Sequence, residues 1–336
     1  MRKVGWTVAT IAVWLVATQP GRAAESIAFI RAGNLWLTNL TGSNQVQLSQ
    51  SGHCSQPSWS PDGTYLVFSN AGDIWRLRLK DRDLRRLTTT GDCRQPAWRP
   101  RTNDVWFLRV PEPKYTPARE IPGQATMWRV GGDGGAPQKL LDFEKGDDQG
   151  RASWRADGGA LIYELCRLRP PMMYLYSVGG ASQSLEPLLP DTLYGPPAHR
   201  DPAWCPTDPN LVAFAGETRA DKTAGLYLLD LAARHVRQVV GTRPMPPPTR
   251  RFEWPSWTPG AEGAASPFAF EVGDESFLWP TWAPEGKRLA FVHSLSFDIA
   301  KRSRGFQSLW TIDVSGRNLK LVAEDALQPA WSPALN

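Results

Sequence analysis

Residues able to grip an anion or a polar chain recur at one place in this sequence, three and four positions before a tryptophan that itself recurs. They are Ser55 and Gln56, Arg94 and Gln95, Gly150 and Arg151, Arg200 and Asp201, Leu278 and Trp279, and Leu327 and Gln328. Glu253 and Trp254 hold the same positions before Trp257, and His53 and His199 stand one or two residues further upstream of their own tryptophans. Guanidinium forks, carboxamides that donate and accept, and indoles with flat apolar faces together suit a peptide carboxylate or an acidic glycan. The candidate binding set is Gln56, Arg94, Gln95, Arg151, His199, Arg200, Asp201, Trp254, Trp279 and Gln328. A competing reading gives the same Gln and Arg side chains a structural task, tying neighbouring repeats together.

Other chemistries find fewer residues. A metal-dependent or carbohydrate-active lyase or hydrolase would need several imidazoles or carboxylates within coordination distance. His53, His199 and Asp201 are too few to assign such a centre, so no metal, cofactor or catalytic residue is expected and the enzyme is the runner-up. H-E-x-x-H, P-loop, C-x-x-C and G-x-S-x-G signatures are absent. Gly131-Gly132-Asp133-Gly134-Gly135 resembles a phosphate cradle out of context, but between two strands it reads as a hairpin turn. Cys54 and Cys93 occupy equivalent repeat positions, five before Trp59 and Trp98, and are expected to pair, leaving Cys166 and Cys205 as a second disulfide without catalytic role.

The repeat that sets this register is a small or polar residue, Pro, a small residue, Trp, any residue and Pro, often followed by Asp or Glu and Gly. It runs Gln56 to Gly63 as Q-P-S-W-S-P-D-G, and recurs at Trp98, Trp154, Trp204, Trp257, Trp282 and Trp331. After each turn comes a β-rich second strand, such as Tyr65 to Ser69 or Leu161 to Leu165. A third strand carries an aromatic behind an apolar residue, as in Leu35-Trp36 and Ile74-Trp75, and a fourth follows a polar turn. Consecutive hairpins of this kind make a four-stranded sheet with two apolar faces.

Such sheets become stable by stacking in a ring, so the fold class is all-β, a six-bladed β-propeller. Seven blades, with a degenerate one within Thr242 to Phe277, is the alternative. Ser26 to Arg31 has second-strand character and the chain ends just past a first strand, so N-terminal strands should pair with the C-terminal strand and close the ring. Long excursions are expected at Val110 to Gln124, Leu189 to Arg200, Thr242 to Arg251 and Ser294 to Gln307, the last, with Lys301, Arg302 and Arg304, read as a solvated basic loop.

The N-terminus speaks to compartment. Arg2 and Lys3 precede an apolar run from Trp6 to Ala17, and a small-residue segment ends at Ala23-Ala24. This is the layout of a secretory signal peptide over residues 1–24, with a single domain from 25 to 336 and a periplasmic or secreted location. Twelve residues at about 1.5 Å each fall short of a hydrocarbon core of about 30 Å, so no transmembrane anchor is expected. Removing Arg2, Lys3 and Arg22 from the 38 cations leaves 35 against 33 anions, which gives no argument for a nucleic-acid partner.

The repeats resemble the WD-like repeat of the TolB-type β-propeller, with its P-x-W-S-P-D-G turn, second strand, apolar-aromatic third strand and closing L-T, matched best by Pro57 to Thr88. The similarity covers essentially all of the chain after residue 24. TolB carries an α/β domain before its propeller, whereas here the propeller is expected to start directly after the signal segment. The resemblance implies an exported propeller that binds other proteins, and with the residue reading the expected function is a monomeric, non-enzymatic protein-binding or scaffold module with a protein or peptide partner at the cell envelope and an anionic or glycan ligand as a further candidate. It carries no contact with a Tol component over to a residue of this sequence.

Overall fold

The computed structural model describes residues 25–111, 114–115, 120–121, 125–143, 148–166, 172–180, 182–185, 193–194, 201–218, 224–241, 271–299 and 302–334. The expected signal segment, the candidates His199, Arg200 and Trp254, and the unit around Trp257 lie outside them.

Six antiparallel sheets form a ring with no helix among the described residues. Blade 1 joins both chain ends, with Leu327–Trp331 innermost, then Ser26–Arg31, Asn34–Asn39 and Val46–Gln47. Blade 2 runs Cys54–Trp59, Tyr65–Asn70, Asp73–Arg78 and Leu84–Arg86, and blade 3 runs Cys93–Trp98, Asp104–Arg109, Thr126–Gly131 and Gln138–Asp142. Blade 4 holds Asp148–Trp154, Ala160–Cys166, Met172–Ser177 and Ser182–Ser184. In blade 5 the short Ala203–Trp204 leads into Leu211–Thr218, Ala224–Asp230 and His235–Gly241. Blade 6 holds Glu271–Trp282, Arg288–Ile299, Arg302–Asp313 and Lys320–Glu324.

Both faces of each second strand are buried, which explains its unbroken apolar sequence. Leu66 and Phe68 pack toward blade 1 with Ala28, Ile30 and Leu35, while Val67 between them packs toward blade 3 with Trp98, Val105 and Phe107. The same two-sided alternation builds six apolar layers, one for each pair of adjacent blades. Motif tryptophans 98, 154, 204, 282 and 331 are buried, each in the layer between its own blade and the preceding one.

The residue before the motif tryptophan alternates around the ring, and so does the tie it makes. Where it carries a hydroxyl, that oxygen accepts the backbone N–H of the next blade's tryptophan: Ser58 from Trp98 at 3.3 Å, Ser153 from Trp204 at 2.8 Å, and Thr281 from Trp331 at 3.3 Å. Where it is alanine, its carbonyl accepts the next blade's indole N–H, Ala330 from Trp59 at 2.9 Å and Ala203 from Trp282 at 2.8 Å. The third alanine, Ala97, precedes Trp154, whose buried indole N–H has no hydrogen-bond partner. That indole instead meets Trp106 edge-on at 4.6 Å.

The ring closes as the sequence requires. Ile27 pairs with Trp331, Ala28 with Ala330 and Ile30 with Leu327. Ser26 and Ser332 exchange hydrogen bonds of 2.8 and 3.1 Å, and Glu25 forms an ion pair with Arg288 of blade 6 at 2.7 Å.

Tight connections between second and third strands rest on glycine where backbones touch. Ala32-Gly33 and Ala71-Gly72 have positive φ at both residues, the two-residue hairpin geometry. A Cβ on Gly33 or Gly72 would collide with the carbonyl oxygen of Gly52 or Gly91 in the strand connection alongside. Gly131 to Gly135 is the turn between the third and fourth strands of blade 3, as expected. There the buried Arg76 guanidinium of blade 2 donates to the Gly132 carbonyl and the Asp133 carboxylate, both at 2.7 Å.

Two expectations are corrected. Cys54, Cys93 and Cys205 are free, buried thiols. Cys54 belongs to the apolar layer between blades 1 and 2 and Cys93 to the next layer, so a blade separates them. Cys54 is hydrogen-bonded with the Ser49 and Ser51 hydroxyls and Cys93 with that of Thr90, and the side chain of Cys166 lies outside the described residues. The excursion at Ser294 to Gln307 is an extended hairpin, with Ser294 opposite Gln307 through to Ile299 opposite Arg302. Its alternation of Leu295, Phe297 and Ile299 is strand-like, and the basic residues near its tip hid that pattern.

Candidate functional site

The first strands line the axis, and in blades 2, 3, 4 and 6 the ladder breaks before the motif tryptophan. Pairing shifts between Ser55 and Ser58, Arg94 and Ala97, Gln149 and Ala152, and Leu278 and Thr281. In blades 2, 3 and 6 the cause is legible in the motif: a proline two residues before tryptophan has no N–H to give the second strand, so the chain bulges there without losing a bond, whereas blade 4 bulges with Ala152 in that place. The residue before that proline is thrown into the left-handed region. Gln56, Gln95, Asp201, Trp279 and Gln328 all have φ between 46° and 55°. For non-glycine residues this costs about 1–3 kcal/mol each, and such strain persists only where surrounding contacts fix it.

Those contacts run from blade to blade. The Gln328 side-chain oxygen accepts the Gln56 N–H at 2.7 Å, and the Gln56 oxygen accepts the Gln95 N–H at 2.8 Å. On the other side of the ring the Glu164 carboxylate accepts the Asp201 N–H, and the Asp201 carboxylate accepts the Trp279 N–H, both at 3.1 Å. Glu164 and Asp201 are both fully buried. Gln56, Gln328 and Asp201 therefore tie blades together, the structural task that competed with binding in the sequence.

Arg151 occupies the same register in blade 4 and behaves differently. Its guanidinium crosses the channel and donates to the Pro280 carbonyl of blade 6 at 3.1 Å and the Pro329 carbonyl of the opposite blade 1 at 3.3 Å. Burial holds this guanidinium below the ordinary arginine pKa, while the Asp201 carboxylate acts in the opposite direction.

Below this ring lies a cavity of about 550 Å³. Every residue lining it falls between the third residue before a motif tryptophan and the third after it. The cavity thus runs from the Gln, Asp, Arg and Trp ring, past the six tryptophans, to a rim of Pro61, Pro100, Ala156, Pro206, Pro284 and Pro333. Pro61, Ala156 and Pro206 are exposed, so this proline end opens to solvent. Arg94, one residue further toward the other end, does not line it. Six of the ten sequence candidates, Gln56, Gln95, Arg151, Asp201, Trp279 and Gln328, come together around this one space. Sequence reasoning missed Glu164, although a lone acid inside A-L-I-Y-E-L-C is a signal, and it missed the Pro280 and Pro329 carbonyls, which no side-chain pattern encodes.

Among the described residues no group of three His, Cys, Asp or Glu side chains could hold a metal ion. His293 is buried against the Glu275 carboxylate at 2.6 Å, away from the axis on the second strand of blade 6. No described helix is long and apolar enough to cross a membrane.

No protein-family model and no curated protein matches the sequence. Solved structures do match the fold. A TolB crystal structure from Acinetobacter baumannii superposes with a TM-score of 0.65 at 16% identity, covering 94% of this chain and 68% of the other. A putative TolB from Agrobacterium tumefaciens gives 0.58 at 15% identity, over 90% of each chain. An oligogalacturonate lyase in complex with manganese gives 0.50 at 12% identity, over 87% of this chain and 70% of that one. The chain has the six-bladed propeller fold seen in TolB.

Proposed function

We propose that the chain is an exported, non-enzymatic binding module of the cell envelope, and that a protein or peptide partner docks on the end of the propeller where the first strands begin. One observation carries this reading. Antiparallel order brings the strand ends at the second-to-third and fourth-to-first steps to that end, and the described strand ends that flank the long intervals 110–124, 186–200 and 242–270 are all among them. At the proline end the connections are short turns, such as Ser60 to Thr64 and Arg155 to Gly159. A scaffold that places its long connections on one face offers that face for recognition. Arg94 stands on this side of the ring, and the sequence puts Arg200 at the equivalent position in blade 5. The TolB fold supports the reading as an analogy of architecture.

The test is an affinity pull-down from envelope extract, comparing the wild-type chain with an Arg94→Ala, Arg200→Ala double variant. Loss of a partner recovered by the wild type is the expected result. Unchanged recovery removes the docking face.

A further inference from the structure

We propose that the proline-end cavity is a second binding site, and that it takes the free carboxylate at the C-terminal end of an extended peptide, held by Arg151. This goes beyond the docking face proposed above, since it uses the opposite end of the channel and none of the same connections.

The first ground is the state of the guanidinium. Arg151 sits at the inner limit of the cavity, and among the described residues its hydrogen bonds go only to two prolyl carbonyls, at 3.1 and 3.3 Å. Among the described residues Arg151 forms no ion pair; Asp201, the acid that acts on it, spends one carboxylate oxygen on the Trp279 N–H. A planar fork bonded to neutral acceptors at long distance gains from exchanging them for a carboxylate, which it can meet with two parallel, charge-assisted bonds. The low polarity that depresses the arginine also strengthens its attraction for an anion.

The second ground is shape. The cavity is within the usual range for small-ligand sites, about 300–1,000 Å³. Its walls are indole and pyrrolidine rings, which stack on apolar side chains and on extended backbone. Its inner end is crossed by the Arg151 side chain and bounded by residues tied blade to blade, whereas its outer rim is exposed. A chain entering from the rim reaches the guanidinium with its end. That end must be the C-terminus, because an amino terminus would bring a second cation against Arg151.

The cavity tryptophans supply the readout. Intrinsic fluorescence is titrated with N-acetylated tripeptides randomised at all three positions and ending in a free carboxylate, and separately with the same mixture ending in an amide. The acid mixture should change the fluorescence saturably, and the amide should bind at least about tenfold more weakly. Arg151→Gln should abolish the difference between the two mixtures. Arg151→Lys, which keeps the charge and loses the fork, should bind the acid mixture about tenfold more weakly than wild type. Thermal melting of both variants establishes that they fold. Equal binding of acid and amide, binding of neither, or a folded Arg151→Gln that still prefers the acid overturns the proposal. Saturation by acetate or inorganic phosphate at the same concentration as the tripeptide overturns the chain-end assignment.

Discussion

The side-chain oxygen of Gln56 accepts the backbone N–H of Gln95, the equivalent residue one blade further round the axis, at 2.8 Å. Gln56 in turn donates its own N–H to the Gln328 side chain at 2.7 Å. The N–H groups of Gln56 and Gln95 that the bulge removes from the ladder are thus recovered by a neighbour, which helps sustain left-handed backbone at these positions. Gln328→Ala leaves the Gln56 N–H near the axis without its acceptor and should cost about 1–3 kcal/mol. Gln328→Glu keeps the acceptor and should stay close to wild type. Urea unfolding of the two variants decides the point, and equal losses would mean that the tie does not stabilise the ring.

The alternating ties at the motif tryptophans lead to a second expectation. Ser58→Ala and Ser153→Ala each remove one acceptor, for the N–H of Trp98 and of Trp204 respectively. A loss of about 1 kcal/mol apiece is expected. The two hydroxyls serve different interfaces, between blades 2 and 3 and between blades 4 and 5, so the double variant should lose the sum. Chemical denaturation measures all three. A double variant no worse than either single one would show that the interfaces are not independent.

The thiols give a third. Cys93 is buried, and burial raises its pKa against the opposing hydrogen bonds from Thr88 and Thr90. Cys54 and Cys205 are buried as well. Native protein purified without reductant should leave these three thiols unlabelled by a maleimide, and denaturant alone should expose them. A need for reductant before Cys54 or Cys93 can be labelled would restore the disulfide.

What could be read from the sequence follows the range of each interaction. Blade count and ring closure came from the P-x-W motif and the second-strand character of Ser26 to Arg31, because burial on two faces leaves an unbroken apolar run in each second strand. The axial placement of Gln56, Gln95, Arg151, Asp201, Trp279 and Gln328 came from the same register. The partners of those side chains did not. Gln56 meets Gln95 across 39 residues, and Arg151 reaches Pro329 across 178, to backbone groups that every residue carries. Nor did residue type tell which way the cavity faces: that depends on where the bulge turns Arg151, a consequence of backbone torsion. The free cysteines show the converse limit, since equivalent repeat positions are separated by one whole blade.

The ion pair between Asp92 and Arg109 carries the last prediction, because it belongs to the docking end of blade 3 and its pH dependence has a fixed sign. Arg109 donates to both Asp92 oxygens at 2.8 to 3.1 Å, and the Thr90 hydroxyl adds a further bond. Burial pushes the Asp92 pKa up, but the bonds from Arg109 and Thr90 outweigh it, and the carboxyl lies below its ordinary value. A carboxylate whose folded pKa is lowered contributes stability that is fully present above its unfolded pKa, near 4, and is lost as pH falls through the lower folded value. Asp92→Asn should therefore melt earlier than wild type at pH 7, with a deficit of about 1–2 kcal/mol that is constant down to about pH 5. The deficit should then shrink as acid protonates Asp92 in the wild type, until the two chains converge. Melting curves from pH 7 to pH 2 read this directly. A deficit that persists unchanged into acid would assign the loss to packing and leave the ion pair without a stabilising role.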